Sequence, residues 1–146
     1  MKKILVGIDG SQESINALHC ATRIGKLIGA EILAVNVINE PSYREYYSDL
    51  SDKLRAEAEG ILKKASIEVE KEGVTIKTLA EVGVPDDILA EKAKTDTDIV
   101  MIVVGASGRG RGSRVFVGSK THALMNHIAA GIPCPIIVIP EGARLF

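Results

Sequence analysis

The sequence predicts an α/β fold, in which helices cover both faces of a mostly parallel β-sheet. Short apolar runs alternate with longer segments of helical periodicity along the whole chain, which is the order that such a sheet requires. Most of the runs are rich in β-branched residues, as expected of strands buried on both faces. The chain has 146 residues, of which 46% are hydrophobic. We therefore expect one domain with one sizeable core over residues 1–146.

Five apolar runs are the predicted strands. In chain order they cover residues 4–8, 32–38, 76–82, 99–104 and 136–139. The last two contain no polar residue, so they are the strongest candidates for strands that are buried on both sides.

Four helices are predicted between these strands. Ser11 is placed to cap the first helix, and Gly29 is placed to end it. The second carries a stripe of apolar residues from Leu54 to Val69 and stops at Gly73. The third begins at Pro85, which is a favourable first helical position. The fourth runs from about residue 118 to residue 131. For these helices the terminal signals and the periodicity agree.

Composition excludes several classes of protein. Lys and Arg number 18 against 19 Asp and Glu, so no overall field attracts nucleic acid or an anionic membrane. Asp9 interrupts the N-terminal apolar run before it reaches the length of an export signal. The uncharged stretch between Lys120 and Glu141 contains helix-breaking Gly131 and Pro133, which argue against a membrane span. The two cysteines have neither zinc spacing nor disulfide density. We expect a cytoplasmic protein.

A glycine-rich segment follows the fourth predicted strand. Four glycines in the eight residues 105–112 allow the backbone to come close to a ligand. The segment leads to Gly118 and Ser119 at the start of the fourth helix, where unpaired amide hydrogens and the helix dipole favour a phosphate. Ser119 and Thr121 add hydroxyl groups for a phosphate or a bound Mg²⁺, and three nearby arginines add positive charge. The alternative is a flexible surface loop with solubilising arginines.

Other known motifs do not fit this segment. The order of residues 118–121 is wrong for a Walker A loop, and a dinucleotide fingerprint belongs after the first strand rather than the fourth. Asp9, at the end of the first strand, either binds a ligand or caps the first helix. His122 and His127 are five residues apart and His19 is on another helix, so the histidines do not form a metal-binding pattern.

The spacing of the glycines resembles the ATP-binding branch of the universal stress protein family. Its signature is Gly, two residues, Gly, nine residues, Gly and then Ser or Thr, which Gly105, Gly108, Gly118 and Ser119 match in full. The similarity also covers the opening residues 4–11 and the ending residues 133–139. The resemblance implies a Rossmann-like open sheet of five parallel strands in the order 3-2-1-4-5.

The resemblance also implies where ATP would bind. Asp9 would accept hydrogen bonds from the ribose or the base, and the main chain of Val37 would bond to adenine. The residues expected to contact ATP are Gly7, Asp9, Val37, Val104, Gly105, Gly108, Arg109, Gly118, Ser119, Lys120 and Thr121. Mg²⁺ or Mn²⁺ would accompany the nucleotide, and protein side chains alone would not hold the metal. Lys120 departs from the small or apolar residue that is common in the family.

Binding is better supported than catalysis, because the loop contains no evident general base or nucleophile. We expect an ATP-binding switch or adaptor in the stress response, with at most slow ATP hydrolysis. The resemblance implies a homodimer through the last strand, and an unidentified protein partner is compatible with it. The alternative is a dimeric interaction module of the same fold that binds no nucleotide. The chain lacks the motifs that an adenylyl-transferring enzyme and a phosphoacceptor receiver domain require.

Overall fold

A five-stranded parallel sheet organises the chain. The computed structural model describes residues 1–39, 48–106, 119–127, 131–140 and 142–143. The strands are β1 (Lys3–Gly7), β2 (Glu31–Asn39), β3 (Ile76–Gly83), β4 (Ile99–Gly105) and β5 (Ile136–Ile139). Every neighbouring pair is parallel, and the strand order is β3-β2-β1-β4-β5. The predicted fold class, the five strands and their order are confirmed.

Helices cover both faces of this sheet. They are α1 (Gln12–Ile28), α2 (Ser48–Lys71), α3 (Pro85–Thr95) and α4 (Ser119–Asn126). Buried residues of α1 and α2 pack on one face, and those of α3 and α4 pack on the other. None of the helices in the described parts of the chain has the length and apolarity needed to cross a bilayer.

The core is divided between the two faces by the alternation of side chains along each strand. In β1, Ile4 and Val6 point towards α1 and α2, whereas Leu5 points towards α3 and α4. All three are fully buried, and each contributes about 1.5–3 kcal/mol relative to an exposed position. Cys20 is a free thiol buried between the sheet and the helices α1 and α2, as expected for a small apolar residue. Burial raises its pKa.

Helix termini follow the local signals in most cases. Ser11 is the N-cap of α1, and its side chain accepts a hydrogen bond from the Ser14 amide, while Gly29 ends the helix with φ 71°. α3 starts at Pro85 as predicted, and it ends at Thr95 with Asp96 as C-cap. α4 ends at Asn126, short of the predicted residue 131. The His127 amide bonds to the carbonyl three residues earlier, so the α-helical pattern stops there.

An ion pair joins the start of β1 to the end of α3. Nζ of Lys3 lies 2.7 Å from Oδ2 of Asp96, and Oδ1 of Asp96 accepts from the Asp98 amide at 3.0 Å. The hydrogen bond from Lys3, followed by that from the Asp98 amide, holds the pKa of Asp96 below its ordinary value. The same bond raises the pKa of Lys3. The pair therefore stabilises the fold only while both groups are charged.

Replacing Asp96 with asparagine is expected to destabilise the protein more at neutral pH than in acid. Because the folded-state pKa of Asp96 is lowered, its contribution is present above the unfolded pKa and is lost as pH falls through the folded pKa. The raised pKa of Lys3 means that its contribution is lost only as pH rises through the folded value. The window thus extends from about pH 4 to about pH 10.

Urea unfolding of the wild type and Asp96→Asn at pH 7 and pH 3 measures this difference. The exposed Asp52, changed to asparagine, is the control that removes the same charge without this ion pair. An equal loss of stability at both pH values would show that the charge of Asp96 is not responsible.

Candidate functional site

An open pocket lies at the carboxyl ends of β1, β2 and β4, on the face that α3 and α4 cover. With the solvent at its mouth included, its volume is about 620 Å³. β1 has β2 on one side and β4 on the other. α1 connects β1 to β2 over one face of the sheet, whereas α3 leads into β4 over the opposite face. Such a switch point is where open parallel sheets bind ligands. It is also the edge at which the sequence predicts a site.

Several of the predicted site residues meet in this pocket. Those that line it are Gly7, Asp9, Val37, Val104, Gly105 and Thr121. Ser119 and Lys120 form the first turn of α4, close in the chain to Thr121. Gly108, Arg109 and Gly118 lie outside the residues that the structure describes.

A hydrogen-bonded turn fixes the rim of the pocket between β1 and α1. Oδ1 of Asp9 accepts from the Ser11 amide at 2.9 Å, and the Ser11 hydroxyl accepts from the Ser14 amide at 3.2 Å. Oγ of Ser14 in turn donates to the Ser11 carbonyl at 2.9 Å. Gly10 adopts φ 86°, which a residue with a side chain rarely takes. Ser11 is therefore the cap of α1, and Asp9 supports the turn while its half-buried carboxylate lines the pocket.

Asn36 holds the end of β1 from the neighbouring strand, and sequence reasoning missed it. Its Nδ2 donates to the Ile8 carbonyl at 2.8 Å, and the side chain is buried. The Ile8 amide donates to the Val35 carbonyl at 2.9 Å, so the backbone just before Asp9 is held at both its polar groups. The available signal was a single amide side chain inside an otherwise apolar strand, since buried polar groups need partners.

Gly105 allows α1 to pass closely over the end of β4. A Cβ built on Gly105 would lie 2.9 Å from three atoms of Glu13, two of which are backbone atoms. Contacts under 3.0 Å essentially never occur for real Cβ atoms. The lack of a side chain at Gly105 therefore has a packing function in addition to any contact with a ligand. The sequence pattern suggested only the ligand contact.

The Thr121 hydroxyl ties α4 to the end of β4. Oγ1 donates to the Gly105 carbonyl at 2.7 Å, and the residue is buried. A hydroxyl has one hydrogen and two acceptor lone pairs. In this arrangement Thr121 has no hydrogen left to donate to a phosphate, but its oxygen can still face a cation or accept from a donor.

Three side chains join the start of α3 to the end of α4. Nε2 of His127 lies 3.0 Å from Oδ2 of Asp86 and 3.2 Å from Oδ1 of Asp87. These groups are of types that also bind metals, and their ligand atoms lie within 4.8 Å of one another. A hydrogen bond between His127 and Asp86, with Asp87 close to the same ring nitrogen, accounts for the arrangement. The sequence did not predict that His127 contacts these acids, because 41 residues separate it from Asp86.

The lining of the pocket is partly polar and partly apolar. Asp9 and Ser14, at the end of β1 and the start of α1, supply polar groups, as does Thr121 beside the end of β4. The apolar part consists of Val35, Val37 and Leu89 together with the ring of Pro85, and the Asp86 carboxylate lies beside it. Small-molecule sites are mostly apolar with a few placed polar groups. The pocket thus suits a ligand with a flat apolar part and a hydrophilic part.

Comparisons with known proteins agree with this architecture. The model of the universal stress protein family matches residues 1–140. A universal stress protein of Staphylococcus haemolyticus is 31% identical over 142 residues, covering 94% of this chain and 84% of the relative. The solved structure of the universal stress protein UspA from Lactobacillus plantarum is 29% identical, with a TM-score of 0.82, and the match covers 94% of this chain and 97% of that one.

Two further solved structures carry adenine nucleotides. A universal stress protein from Archaeoglobus fulgidus in complex with dAMP is 20% identical, with a TM-score of 0.71, covering 94% of this chain and 97% of that one. A universal stress protein in complex with cAMP is 22% identical, with a TM-score of 0.70, covering 95% and 96%. At these identities the likeness concerns the fold.

Proposed function

Since the chain belongs to the universal stress protein family, we propose that it binds ATP in the pocket at the carboxyl ends of β1, β2 and β4. The observation that carries this proposal is the polarity of the pocket, which is apolar near Val37 and Leu89 and hydrophilic near Asp9. An adenine ring suits the first part, and a ribose with its phosphates suits the second. The complexes of two fold neighbours with dAMP and cAMP support an adenine nucleotide.

In this proposal each predicted residue has a defined place. Asp9 accepts from ribose hydroxyl groups, and the main chain of Val37 meets the adenine edge. Gly7, Val104 and Gly105 allow the nucleotide to approach the strand ends. The signature residues after β4, with the first turn of α4, receive the phosphates, because unpaired amides at a helix start favour anions. Mg²⁺ or Mn²⁺ is held mainly by the phosphates, with the Thr121 oxygen available on the protein side.

The function proposed is that of a nucleotide-responsive switch or adaptor in the stress response. Binding rather than turnover is favoured, since the Asp9 carboxylate is engaged with the Ser11 amide and Asp86, the other carboxylate of the described lining, is engaged with His127. The cytoplasmic homodimer expected from the family resemblance belongs to the same proposal. It is supported by the position of β5, which has β4 as its only neighbour in the described sheet.

Calorimetric titration of nucleotide-stripped protein with ATP and Mg²⁺ tests the proposal, with GTP as the control. We expect ATP to bind at least about tenfold more tightly than GTP, which corresponds to about 1.4 kcal/mol. If folded protein binds neither nucleotide, the dimeric interaction module becomes the better account of the chain.

Replacing Asp9 with alanine is expected to weaken adenosine, AMP and ATP alike, by about tenfold or more. A hydrogen bond to a charged group contributes about 1.5–3 kcal/mol, and all three ligands share the ribose that Asp9 would bind. Calorimetry on the variant measures the loss for each ligand.

The variant Asp9→Asn distinguishes the contact of Asp9 with the ligand from its hydrogen bond within the turn. Asparagine retains an oxygen that can accept from the Ser11 amide, as Oδ1 of Asp9 does, so it should preserve the stability of the turn while weakening the ribose contact. Unchanged affinity in Asp9→Ala would show that the ribose does not lie at this carboxylate.

A further inference from the structure

The apolar wall of the pocket contains one carboxylate. Asp86 lines the pocket beside Pro85, and Leu89 follows one helical turn later. Its side chain is only 17% exposed. Placing a carboxylate against apolar surface is unfavourable unless the charge is compensated, so both the compensation and the function of Asp86 require an explanation.

Two features compensate the charge. Asp86 lies in the first turn of α3, where the positive end of the helix dipole stabilises an acid. His127 meets its Oδ2 at 3.0 Å from the end of α4. Each carboxylate oxygen has two lone pairs, so the group keeps acceptor capacity beyond this contact. The carboxylate is thus held in a fixed position at the pocket wall.

The neighbouring Asp87 shows that the contact with His127 does not by itself require an acid in the pocket. Oδ1 of Asp87 lies 3.2 Å from the same Nε2, yet its side chain is 62% exposed and it is not among the residues that line the pocket. The two acids share the histidine, the helix and the charge. They differ in which one faces the pocket.

The position of Asp86 along α4 indicates which part of a nucleotide would meet it. Asp86 is held by His127, which follows the end of α4, whereas Thr121, in the first turn of α4, is bonded to the Gly105 carbonyl at the end of β4. The six residues from Thr121 to His127 span about 9 Å at the helical rise of about 1.5 Å per residue, so Asp86 and the first turn of α4 are separated along that helix. Phosphates beside Asp86 would face a negative charge. The base therefore belongs at Asp86 and the phosphates at the other end.

We infer that Asp86 determines the base specificity of this pocket by accepting a hydrogen bond from the exocyclic amino group of adenine. This inference rests on the proposed ATP binding. A carboxylate is an acceptor only, and adenine presents its amino group as a donor. His127 is a positioning residue that orients the carboxylate towards the base.

A comparison of ATP with GTP is insufficient to test this inference, because guanine also carries an amino group that a carboxylate can bind. The informative ligand is purine riboside triphosphate, which lacks the amino group and is otherwise the same as ATP. Affinities of ATP, this analogue and GTP are measured by calorimetry with Mg²⁺ for the wild type, Asp86→Ala and Asp87→Ala. Asp87→Ala is the matched control.

For the wild type we expect ATP to bind about tenfold more tightly than the analogue, as for the loss of one hydrogen bond to a charged group. Asp86→Ala should bind ATP and the analogue within about twofold of each other, while Asp87→Ala retains the wild-type preference. If Asp86→Ala does not fold, Asp86→Asn replaces it. A neutral acceptor forms a weaker bond than a carboxylate, so the preference should fall in this variant without disappearing.

The outcomes separate this inference from the proposed function. If the wild type binds none of the three nucleotides, the proposed function is wrong and the inference falls with it. If ATP binds and its preference over the analogue is the same in the wild type and in the Asp86 variant, the inference alone is overturned. If GTP is preferred and the Asp86 variant loses that preference, the carboxylate binds guanine and the assignment to adenine is wrong.

Discussion

Replacing Gly105 with alanine is expected to lower the free energy of unfolding by about 1–3 kcal/mol, as for overpacked sites. The added Cβ would lie 2.9 Å from backbone and Cβ atoms of Glu13, so α1 must move away from the end of β4. Because the turn from Asp9 to Ser14 leads into α1, the same movement is expected to weaken nucleotide binding. Urea unfolding measures the first effect, and calorimetry measures the second.

Gly60→Ala is the control for this substitution. Gly60 is in α2, and a Cβ added there would meet nothing within 4 Å. Alanine should therefore stabilise the helix by about 0.5–1 kcal/mol, through the lower backbone entropy of the unfolded chain. If both variants were as stable as the wild type or more so, the close packing of α1 on Gly105 would be refuted.

Replacing Thr121 with valine is expected to cost about 1–3 kcal/mol, because a buried carbonyl loses its hydrogen bond. The two side chains have nearly the same shape, so the change removes the bond from Oγ1 to the Gly105 carbonyl with little effect on packing. Thermal or urea unfolding measures the loss. We also expect weaker ATP binding, since α4 would no longer be tied to the strand end that forms the pocket.

Thr121→Ser retains the hydroxyl and is the matched variant. It should keep most of the stability that valine loses, although it gives up a buried methyl group, worth about 0.8 kcal/mol. If the valine variant were the more stable of the two, the hydrogen bond to Gly105 would not hold α4 in place.

The fold was largely predictable because its signals are local or periodic. Apolar runs and helical stripes located the five strands and four helices of the residues that the structure describes, and Ser11 and Gly29 marked the ends of α1 as they do in the structure. The strand order needed the family resemblance, since composition and periodicity do not say which strands are neighbours. The end of α4 was wrong, because a periodic pattern continues in the sequence after the helical hydrogen bonds stop at Asn126.

The candidate site was predictable only in part, because some of its contacts join distant parts of the chain. The bond from Asn36 to the Ile8 carbonyl spans 28 residues, and the contact of His127 with Asp86 spans 41. The place of Asp86 in the pocket depends on how α3 packs on the sheet, which no local pattern shows. For Gly105 the glycine pattern was visible, whereas the neighbour that excludes a side chain was not.

Backbone amide shifts of ¹⁵N-labelled protein, followed by NMR during titration with ATP and Mg²⁺, test most directly whether ATP binds in this pocket. We expect the largest changes at Gly7, Asp9, Val37 and Gly105, which line the pocket, and little change on the outer face of α2. Changes centred on another surface, or none at saturating ATP, would contradict the assignment of this pocket as the nucleotide site.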